Sequence, residues 1–385
     1  MNRTGGVLAT LLAVVLVGCG KEEESAPLGF APHPGAVQVP WAHGDWVPEN
    51  VGLLNLVPVG DCVVGVGTYA NGYRNVSANW LPDAGCTRLD IRPAPDGSAG
   101  GGDLAGERGR GWPGGGLAAT SVVAGPGDSV IGVHESGQFA RLDRTGEVAQ
   151  LAKPDNVQRV TGLARAGGTL VAVGTAEEPA GSPVAWVSTD DGATVAEVPL
   201  PRDPASTHAT DLPWSVAAAG STVVAVTFGS PLSIWSSTDA GRTWTVEHLD
   251  DLPKSTNVEG VLPVGDRWLL FGSAEAERGP NSPVLISGTP GDWRLDDTAA
   301  LGEGGIVAAT VDARGLPVLL GRTHLPRVPE QNQTYCSTVW TRTTTSWARG
   351  SLGCAQQPAT AITTLRDGRV VIAGNRDLWI RPAPA

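Results

Sequence analysis

GDRWLLFG, from Gly265 to Gly272, is one copy of a short phrase that recurs along the chain. Each copy has a turn with Gly or Asp, then four or five mostly apolar residues, and usually a Gly at its end. The seven copies begin at Gly60, Gly127, Gly167, Gly220, Gly265, Arg314 and Asp367. They start 67, 40, 53, 45, 49 and 53 residues apart. A repeat of about 50 residues is typical of a β-propeller, in which each repeat forms one four-stranded blade.

The composition favours the same fold. Gly and Pro account for 52 and 30 of the 385 residues, which leaves few uninterrupted stretches for long helices and favours an all-β chain. The apolar run of each phrase is continuous rather than alternating, as expected of a strand buried on both faces. We therefore predict one domain over residues 36–385, a seven-bladed β-propeller of four-stranded antiparallel blades. A Gly-rich insertion at about 94–117 separates the first two blades.

The blade limits follow from the phrases. The first blade is expected at Leu53–Pro93, and the next five at about 118–152, 158–200, 213–250, 257–296 and 304–352. The seventh begins at Ala361 and has sequence for only three strands before the chain ends. An open last blade would leave an unpaired strand edge. We therefore predict that an N-terminal strand at Ala36–Val39 completes the ring.

Residues 1–19 resemble the signal peptide of a bacterial lipoprotein. Arg3 is followed by an apolar run from Gly6 to Val17, which is too short to span a bilayer. The run ends in Leu-Val-Gly-Cys, which resembles a lipobox and implies that Cys19 carries a lipid. Residues 20–35 would then be a flexible tether. The implied location is the outer face of the bacterial cytoplasmic membrane or the cell surface; the alternative is an ordinary signal peptide with a chance cysteine.

Four cysteines follow Cys19, and outside the cytoplasm an even number predicts disulfides. Four cysteines allow three connectivities. Cys62 opens the second strand of the first blade, and Cys86 lies in the hairpin between its third and fourth strands. In the sixth blade, Cys336 opens the third strand and Cys354 follows the fourth. Pairing Cys62 with Cys86 and Cys336 with Cys354 is the one arrangement that keeps both links inside a blade.

A second motif lies at the predicted hairpin between third and fourth strands. Residues 237–244 read STDAGRTW and resemble, at every defined position, the Asp box (S-x-D-x-G-x-T-W) of sialidase-type propellers, also called the BNR repeat. Residues 188–195 match except at the final Trp. The resemblance implies a structural hairpin on the face away from any active site. The positions concerned are Ser188, Asp190, Gly192, Thr194, Ser237, Asp239, Gly241, Thr243 and Trp244.

The resemblance raises the possibility of a sialidase-type glycoside hydrolase. That chemistry needs three arginines for the substrate carboxylate, a Tyr nucleophile assisted by Glu, and an Asp acid/base. Tyr335 lies in the expected C-terminal region, and Glu330 could assist it. The family's Arg-Ile-Pro segment is missing, because residues 91–93 read Ile-Arg-Pro.

Two main hypotheses of function follow. The first is a non-catalytic binding or assembly module, a monomer whose protein or glycan ligand contacts the face opposite the Asp boxes. The second is a divergent hydrolase of the exo-α-sialidase type; a purely structural envelope protein is a third possibility. The net charge of −12 argues against nucleic acid. The six histidines have no metal-binding spacing, so we expect neither a metal nor another cofactor.

Overall fold

The fold is a ring of seven four-stranded antiparallel sheets, as predicted. This computed structural model describes residues 28–38, 51–71, 74–92, 117, 119–204, 212–229, 231–275, 280–324, 334–344, 346–355, 357–374 and 376–384. Within them, the helical content is a single short 3₁₀ turn at Ala299–Leu301.

The strands are numbered in chain order. The N-terminal strand and blades one to three contain β1 (Ala31–His33), β2 (Val51–Val59), β3 (Cys62–Asn71), β4 (Arg74–Pro82), β5 (Leu89–Arg92), β6 (Ser121–Ala124), β7 (Val130–Val133), β8 (Phe139–Leu142), β9 (Val148–Gln150), β10 (Arg159–Ala166), β11 (Thr169–Ala176), β12 (Ser182–Ser188) and β13 (Ala196–Pro199). Blades four and five contain β14 (Pro213–Ala219), β15 (Thr222–Thr227), β16 (Leu232–Ser237), β17 (Thr245–Leu249), β18 (Thr256–Val264), β19 (Arg267–Ala274), β20 (Ser282–Thr289) and β21 (Asp292–Leu295). Blades six and seven contain β22 (Gly305–Val311), β23 (Pro317–His324), β24 (Tyr335–Arg342), β25 (Trp347–Ala355), β26 (Ala361–Thr364), β27 (Val370–Ala373) and β28 (Leu378–Arg381).

The first strands of the blades line the centre of the ring. Each of β2, β6, β10, β14, β18, β22 and β26 contacts the first strand of the next blade, and β26 contacts β2. The seven predicted phrases form the turn into the second strand and that strand itself, whose apolar residues are buried between neighbouring blades. Each blade thus packs against its two neighbours.

An N-terminal strand closes the ring, but the predicted residues were wrong. The strand is Ala31–His33, which pairs antiparallel with β28 in the order β1-β28-β27-β26. Phe30 precedes it and is 1% exposed, so a buried aromatic ring secures this pairing. The expected strand at 36–39 instead crosses to the first blade, where Val37 forms a parallel bridge with Leu89. Residues 28–35, which were assigned to the tether, therefore belong to the propeller.

Tryptophans on the third strands tie the blades to the connections that lead into them. Trp80, Trp235 and Trp340 are each at most 1% exposed. Their indole N–H groups donate to the carbonyls of Gln38, Pro201 and Leu301 respectively, at 2.8–2.9 Å. Most buried indole N–H groups in proteins have such an acceptor, although that of Trp186 in β12 has none. The large rings therefore fill the space between blades and also fix the chain that joins one blade to the next.

Both predicted disulfides are confirmed. Cys62 is bonded to Cys86 within the first blade, and Cys336 to Cys354 within the sixth. Cys336 and Cys354 are direct partners across β24 and β25. The Gly-rich insertion at about 94–117 lies outside the described residues except at its end.

Glycine recurs at the end of the phrase because a side chain would not fit there. β2, β10, β18 and β22 each contain a one-residue bulge near their start. In these four blades the closing glycine of the second strand lies where the first strand bulges. At Gly272 a Cβ atom would overlap the carbonyl oxygen of Asn257. The sequence pattern therefore records a close backbone approach rather than a turn.

Candidate functional site

The propeller has two faces that differ in their loops. The segments 188–195 and 237–244, which we call the Asp hairpins, join third to fourth strands of blades three and four. We call this side the Asp-hairpin face. It also carries the turns between first and second strands. The opposite face carries the loops between second and third strands and the connections from each blade to the next.

The two Asp hairpins have the same hydrogen bonds. In the second, the Ser237 hydroxyl donates to the Asp239 carboxylate at 2.8 Å and accepts from the Gly241 backbone N–H at 2.9 Å. The Asp239 carboxylate also accepts the backbone N–H groups of Arg242 and Thr243 at 3.0 and 2.9 Å, and the Thr243 hydroxyl at 2.7 Å. Ala240 and Gly241 have φ of 58° and 85°, a left-handed pair for which glycine is suited.

The first hairpin repeats this network with Ser188, Asp190, Gly192 and Thr194. In both hairpins the carboxylate is engaged by its own turn. Hydrogen bonds from Thr243 lower the pKa of Asp239 to about 2, and those from Thr194 likewise lower the pKa of Asp190. A carboxylate held ionised in this way is suited to stabilising a hairpin and is a poor proton donor.

A third hairpin, which was not predicted from the sequence, is also stabilised by an aspartate that accepts hydrogen bonds from its own turn. Asp143 lies between the third and fourth strands of blade two, and its carboxylate accepts the backbone N–H groups of Thr145 and Glu147 at 2.8 and 3.0 Å. The Thr145 hydroxyl also donates to it and is the main cause of its lowered pKa. The signal is the Asp-x-Thr-Gly sequence at that position, which the Asp-box spacing does not match.

The opposite face brings Tyr335 together with two residues that sequence reasoning did not select. The Arg322 guanidinium lies over the Tyr335 ring, 5.8 Å from its centroid. Burial raises the pKa of Glu259, while the positive charge of Arg322 acts in the other direction. Glu259 is the extra residue of the bulge in β18, and Arg322 comes from β23 of the next blade. Between blades five and six, Arg322 thus lies over a tyrosine ring and also acts on a carboxyl group of raised pKa.

Other expectations fall outside what the structure describes. Glu330, which was expected to assist Tyr335, and Cys19, the expected lipid site, are both outside the described residues. In the part of the chain that is described, no group of three His, Cys, Asp or Glu side chains could hold a metal ion. The same part contains no helix of the length and apolarity needed to cross a membrane.

A buried polar cluster lies on the rim of blade four, on the opposite face. The Asp203 carboxylate accepts from the Ser233 hydroxyl at 2.8 Å and lies 2.7 Å from Nδ1 of His248. Nε2 of His248 is 3.0 Å from Asp250. These are the residue types of a hydrolase triad, but the serine contacts the aspartate instead of the histidine and is fully buried. The cluster therefore has the geometry of a structural clamp and lacks an activated nucleophile.

The opposite face also exposes apolar side chains. Among the described residues, four large apolar side chains are more than a third exposed: Leu54, Trp214, Phe228 and Leu295. Leu54 lies in the bulge of β2 and Trp214 near the start of β14, and both strands begin on this side. Phe228 follows β15 and Leu295 is the last residue of β21, and both strands run toward this side. Trp214 and Phe228 pack edge to face with their ring centroids 5.1 Å apart. Beside them lies an open depression of about 510 Å³ between blades four and five.

Solved structures similar to this chain show the fold. The sequence matches no protein-family model, and no curated protein matches it. An extracellular domain of a putative one-component system from B. thetaiotaomicron has a TM-score of 0.52 and 9% identity, over 86% of this chain and 38% of that one. A streptogramin B lyase has a TM-score of 0.41 and 14% identity, over 68% and 91%. A GH74 xyloglucanase from Xanthomonas campestris has a TM-score of 0.39 and 15% identity, over 70% and 52%. The first of these similarities supports an all-β propeller, and at 9% identity it assigns no activity.

Proposed function

We propose that this chain is an extracytoplasmic lipoprotein whose Asp-box propeller acts as a non-catalytic binding or assembly module. It is a monomer anchored to the membrane through Cys19. Its contact surface for a protein or glycan ligand is the opposite face. The observation that carries this proposal is the location of the four exposed apolar side chains, all of them on that face. A contiguous exposed apolar patch, which the Trp214–Phe228 pair forms, is typical of interaction sites.

The direction of β1 indicates which face of the propeller is turned toward the membrane. Ala31 pairs with Ile380 and His33 with Leu378, so β1 begins at the Asp-hairpin face. Leu28 therefore lies on that side, and the chain that leads back to Cys19 leaves from it. Nine residue steps separate the two, which reach about 30 Å when fully extended. Such a tether would hold the Asp-hairpin face toward the membrane and direct the opposite face outward.

The disulfide bonds support an extracytoplasmic location. Two disulfides lie within the blades, and disulfides persist in oxidising environments outside the cytoplasm. The similar extracellular domain has the same kind of fold, which is compatible with this location.

The anchor is tested by replacing its cysteine. In a bacterial host, we expect Cys19→Ser to abolish incorporation of a radiolabelled fatty acid and to release the protein from the membrane fraction. The matched control is Ser25→Ala in the same tether, which should leave both unchanged. Unaltered labelling and fractionation of Cys19→Ser would refute lipidation at this residue.

The contact surface is tested by photo-crosslinking in intact cells. A photoreactive amino acid replaces Leu54 or Leu295 on the opposite face, or the exposed Asp266 in a turn of the Asp-hairpin face. We expect adducts from the first two positions and none from the third. Adducts from position 266 alone would place the contact on the wrong face and contradict the proposal.

A hydrolase is retained as the second candidate because Arg322 lies over Tyr335 and acts on Glu259 on the opposite face. If it acts as a sialidase, the Tyr335 oxygen bonds to the anomeric carbon as the bond to the aglycone breaks, and the phenol proton passes to a carboxylate. Water then hydrolyses the tyrosyl–sugar bond and restores the phenol. The non-catalytic proposal predicts no turnover of a fluorogenic sialoside between about pH 4 and 8, where carboxyl and histidine groups titrate. Turnover that disappears in Tyr335→Phe would establish the hydrolase instead.

A further inference from the structure

The aromatic pair on the opposite face keeps much of its surface in water. Trp214 is 37% exposed and Phe228 is 38% exposed, although other tryptophans of this chain are fully buried between blades. Trp214 is the extra residue of a bulge in β14, and a bulge re-aims a side chain relative to the sheet. Exposed rings forgo the stabilisation that burial gives. The exposed parts of the two rings are available to a ligand.

The depression beside the pair is lined by polar groups. Its lining residues are Gly229, Lys254, Ser255, Thr256, Asn257 and Glu275. Gly229 follows Phe228 in the chain and forms a bridge with Asn257 of β18, which places the aromatic pair at the edge of the depression. Nδ2 of Asn257 is 3.5 Å from the Glu275 carboxylate. The Asn257 amide, the Glu275 carboxylate and the exposed Ser255 therefore line the space next to two aromatic rings, whereas the buried Thr256 hydroxyl donates to the Pro253 carbonyl.

The charges of the depression balance. Lys254 and Glu275 are both exposed and have opposite signs, so neither an anion nor a cation is favoured by the lining as a whole. The chain itself has a net charge of −12, which disfavours an anionic ligand at long range. A ligand without net charge is the best match.

We infer that this depression binds a neutral saccharide, with Trp214 and Phe228 against the C–H face of a sugar ring. An aromatic face carries partial negative charge and attracts C–H groups. The sugar hydroxyls would exchange hydrogen bonds with Asn257 and Glu275. This inference rests on the proposed function, because it assigns a ligand class to the contact surface.

The site has room for more than one sugar ring. A neighbouring depression of about 390 Å³ shares Lys254 and Glu275 and extends to Leu295. An oligosaccharide could therefore follow the boundary of blades four and five. A peptide matches the first depression less well, because its six lining residues are glycine or polar and form no aliphatic pocket of the kind in which peptide side chains anchor.

The test is binding of the full chain to immobilised neutral oligosaccharides of glucose, galactose, mannose and N-acetylglucosamine, with sialylated glycans and a random peptide library beside them. We expect retention on at least one neutral glycan. Trp214→Ala should weaken that binding by about tenfold, the order that one aromatic contact provides. The matched control is Trp347→Ala, a half-buried tryptophan on the Asp-hairpin face, and melting temperatures verify that both variants fold. Glu275→Gln should weaken binding several-fold.

The salt dependence of the affinity distinguishes a neutral ligand from a charged one. Affinity for a neutral saccharide should stay constant between about 0.05 and 0.5 M NaCl, because screening acts on charge pairs. Binding of sialylated glycans or peptides alone, no binding of any neutral glycan, or an equal loss in Trp347→Ala would overturn the inference. If crosslinks form at positions 54 or 295 while every neutral glycan fails, the ligand class is wrong and the contact surface stands. If crosslinks form only at position 266, the proposed function itself fails.

Discussion

At the scale of single residues, the carboxylates of this propeller have two opposite roles. Asp239 is ionised and enclosed by donors of its own hairpin. Glu259 lies in a bulge near the centre of the ring, where burial disfavours its charge. The Asp239 carboxylate stabilises the folded chain. The buried Glu259 carboxylate destabilises it, as is common for ionisable groups at binding or catalytic sites.

Asp239→Ala should therefore lower the free energy of unfolding. Its removal leaves two backbone donors and two hydroxyls without their acceptor, and we expect a loss of about 1 kcal/mol, since solvent can replace part of these bonds. The control is Asp266→Ala, an exposed aspartate in a turn on the same face. Chemical denaturation of both variants measures the difference. Equal stability of the two would show that the hairpin network contributes nothing.

The same network predicts acid sensitivity. The pKa of Asp239 falls from its ordinary 3.8 to about 2 in the folded chain. Stabilisation by this carboxylate is therefore fully present above about pH 4 and is lost as the pH falls through 2. The stability difference between the natural chain and Asp239→Ala should shrink over that window. A difference that stays constant from pH 5 to 2 would contradict the assignment.

Glu259 should show the opposite sign. Because burial raises its pKa, the folded chain binds a proton more tightly than the unfolded chain does, and this carboxyl costs stability as the pH rises above its ordinary value of 4.5. Glu259→Gln should be more stable than the natural chain at pH 7, with the gain fading below pH 4.5. The half-exposed Glu247 in β17 serves as control. A destabilised Glu259→Gln at pH 7 would mean that Arg322 outweighs burial.

At the scale of the strand, the glycine that closes each phrase can be required either for the space around it or for its backbone conformation. Gly272 lies against the carbonyl of Asn257, whereas Gly168 has open space around it. Neither has a left-handed φ, so only the steric contact differs between them.

Gly272→Ala should cost about 1–3 kcal/mol or more, because the new methyl group forces the bulged strand away. Gly168→Ala should change stability by less than about 1 kcal/mol. Urea titrations of the two variants make the comparison. Equal effects would remove the steric explanation of the repeated glycine.

At the scale of the whole molecule, closure of the ring depends on one short N-terminal strand. The β1 strand has three residues, and the buried Phe30 beside it is covered by the Arg381 guanidinium, 5.2 Å from the ring centroid. Arg381 also contacts Asp312 of blade six at 3.2 Å. The start of the propeller domain thus joins its last two blades.

Phe30→Ala should destabilise the chain by about 3–5 kcal/mol, as loss of a fully buried aromatic does. Phe30→Leu keeps much of the apolar volume and should recover most of that loss. Calorimetry and limited proteolysis of the N-terminal segment provide the readouts. If Phe30→Ala melts like the natural chain, then closure relies on other contacts.

Sequence alone determined the features that depend on neighbours along the chain. The phrase and its period of about 50 residues predicted seven blades, because a strand–turn–strand unit is encoded within a few residues. The carboxylate of Asp239 finds its donors within four residues, so its structural role could be predicted from the motif. The cysteine pairs followed once the blades were placed, because each pair lies inside a single blade.

Only the tertiary structure decided which residues meet across blades. The closing strand was misplaced from 31–33 to 36–39 because both segments are short and the partner of the true strand, β28, lies more than 300 residues away. Glu259 and Arg322 belong to neighbouring blades, and Trp214 gained its exposure from a bulge that no local pattern records. Bulges and inter-blade contacts arise when strands pack, since a one-residue shift in pairing changes where a side chain points. The two Asp hairpins could therefore be predicted, while the residues that form the candidate binding surface could not.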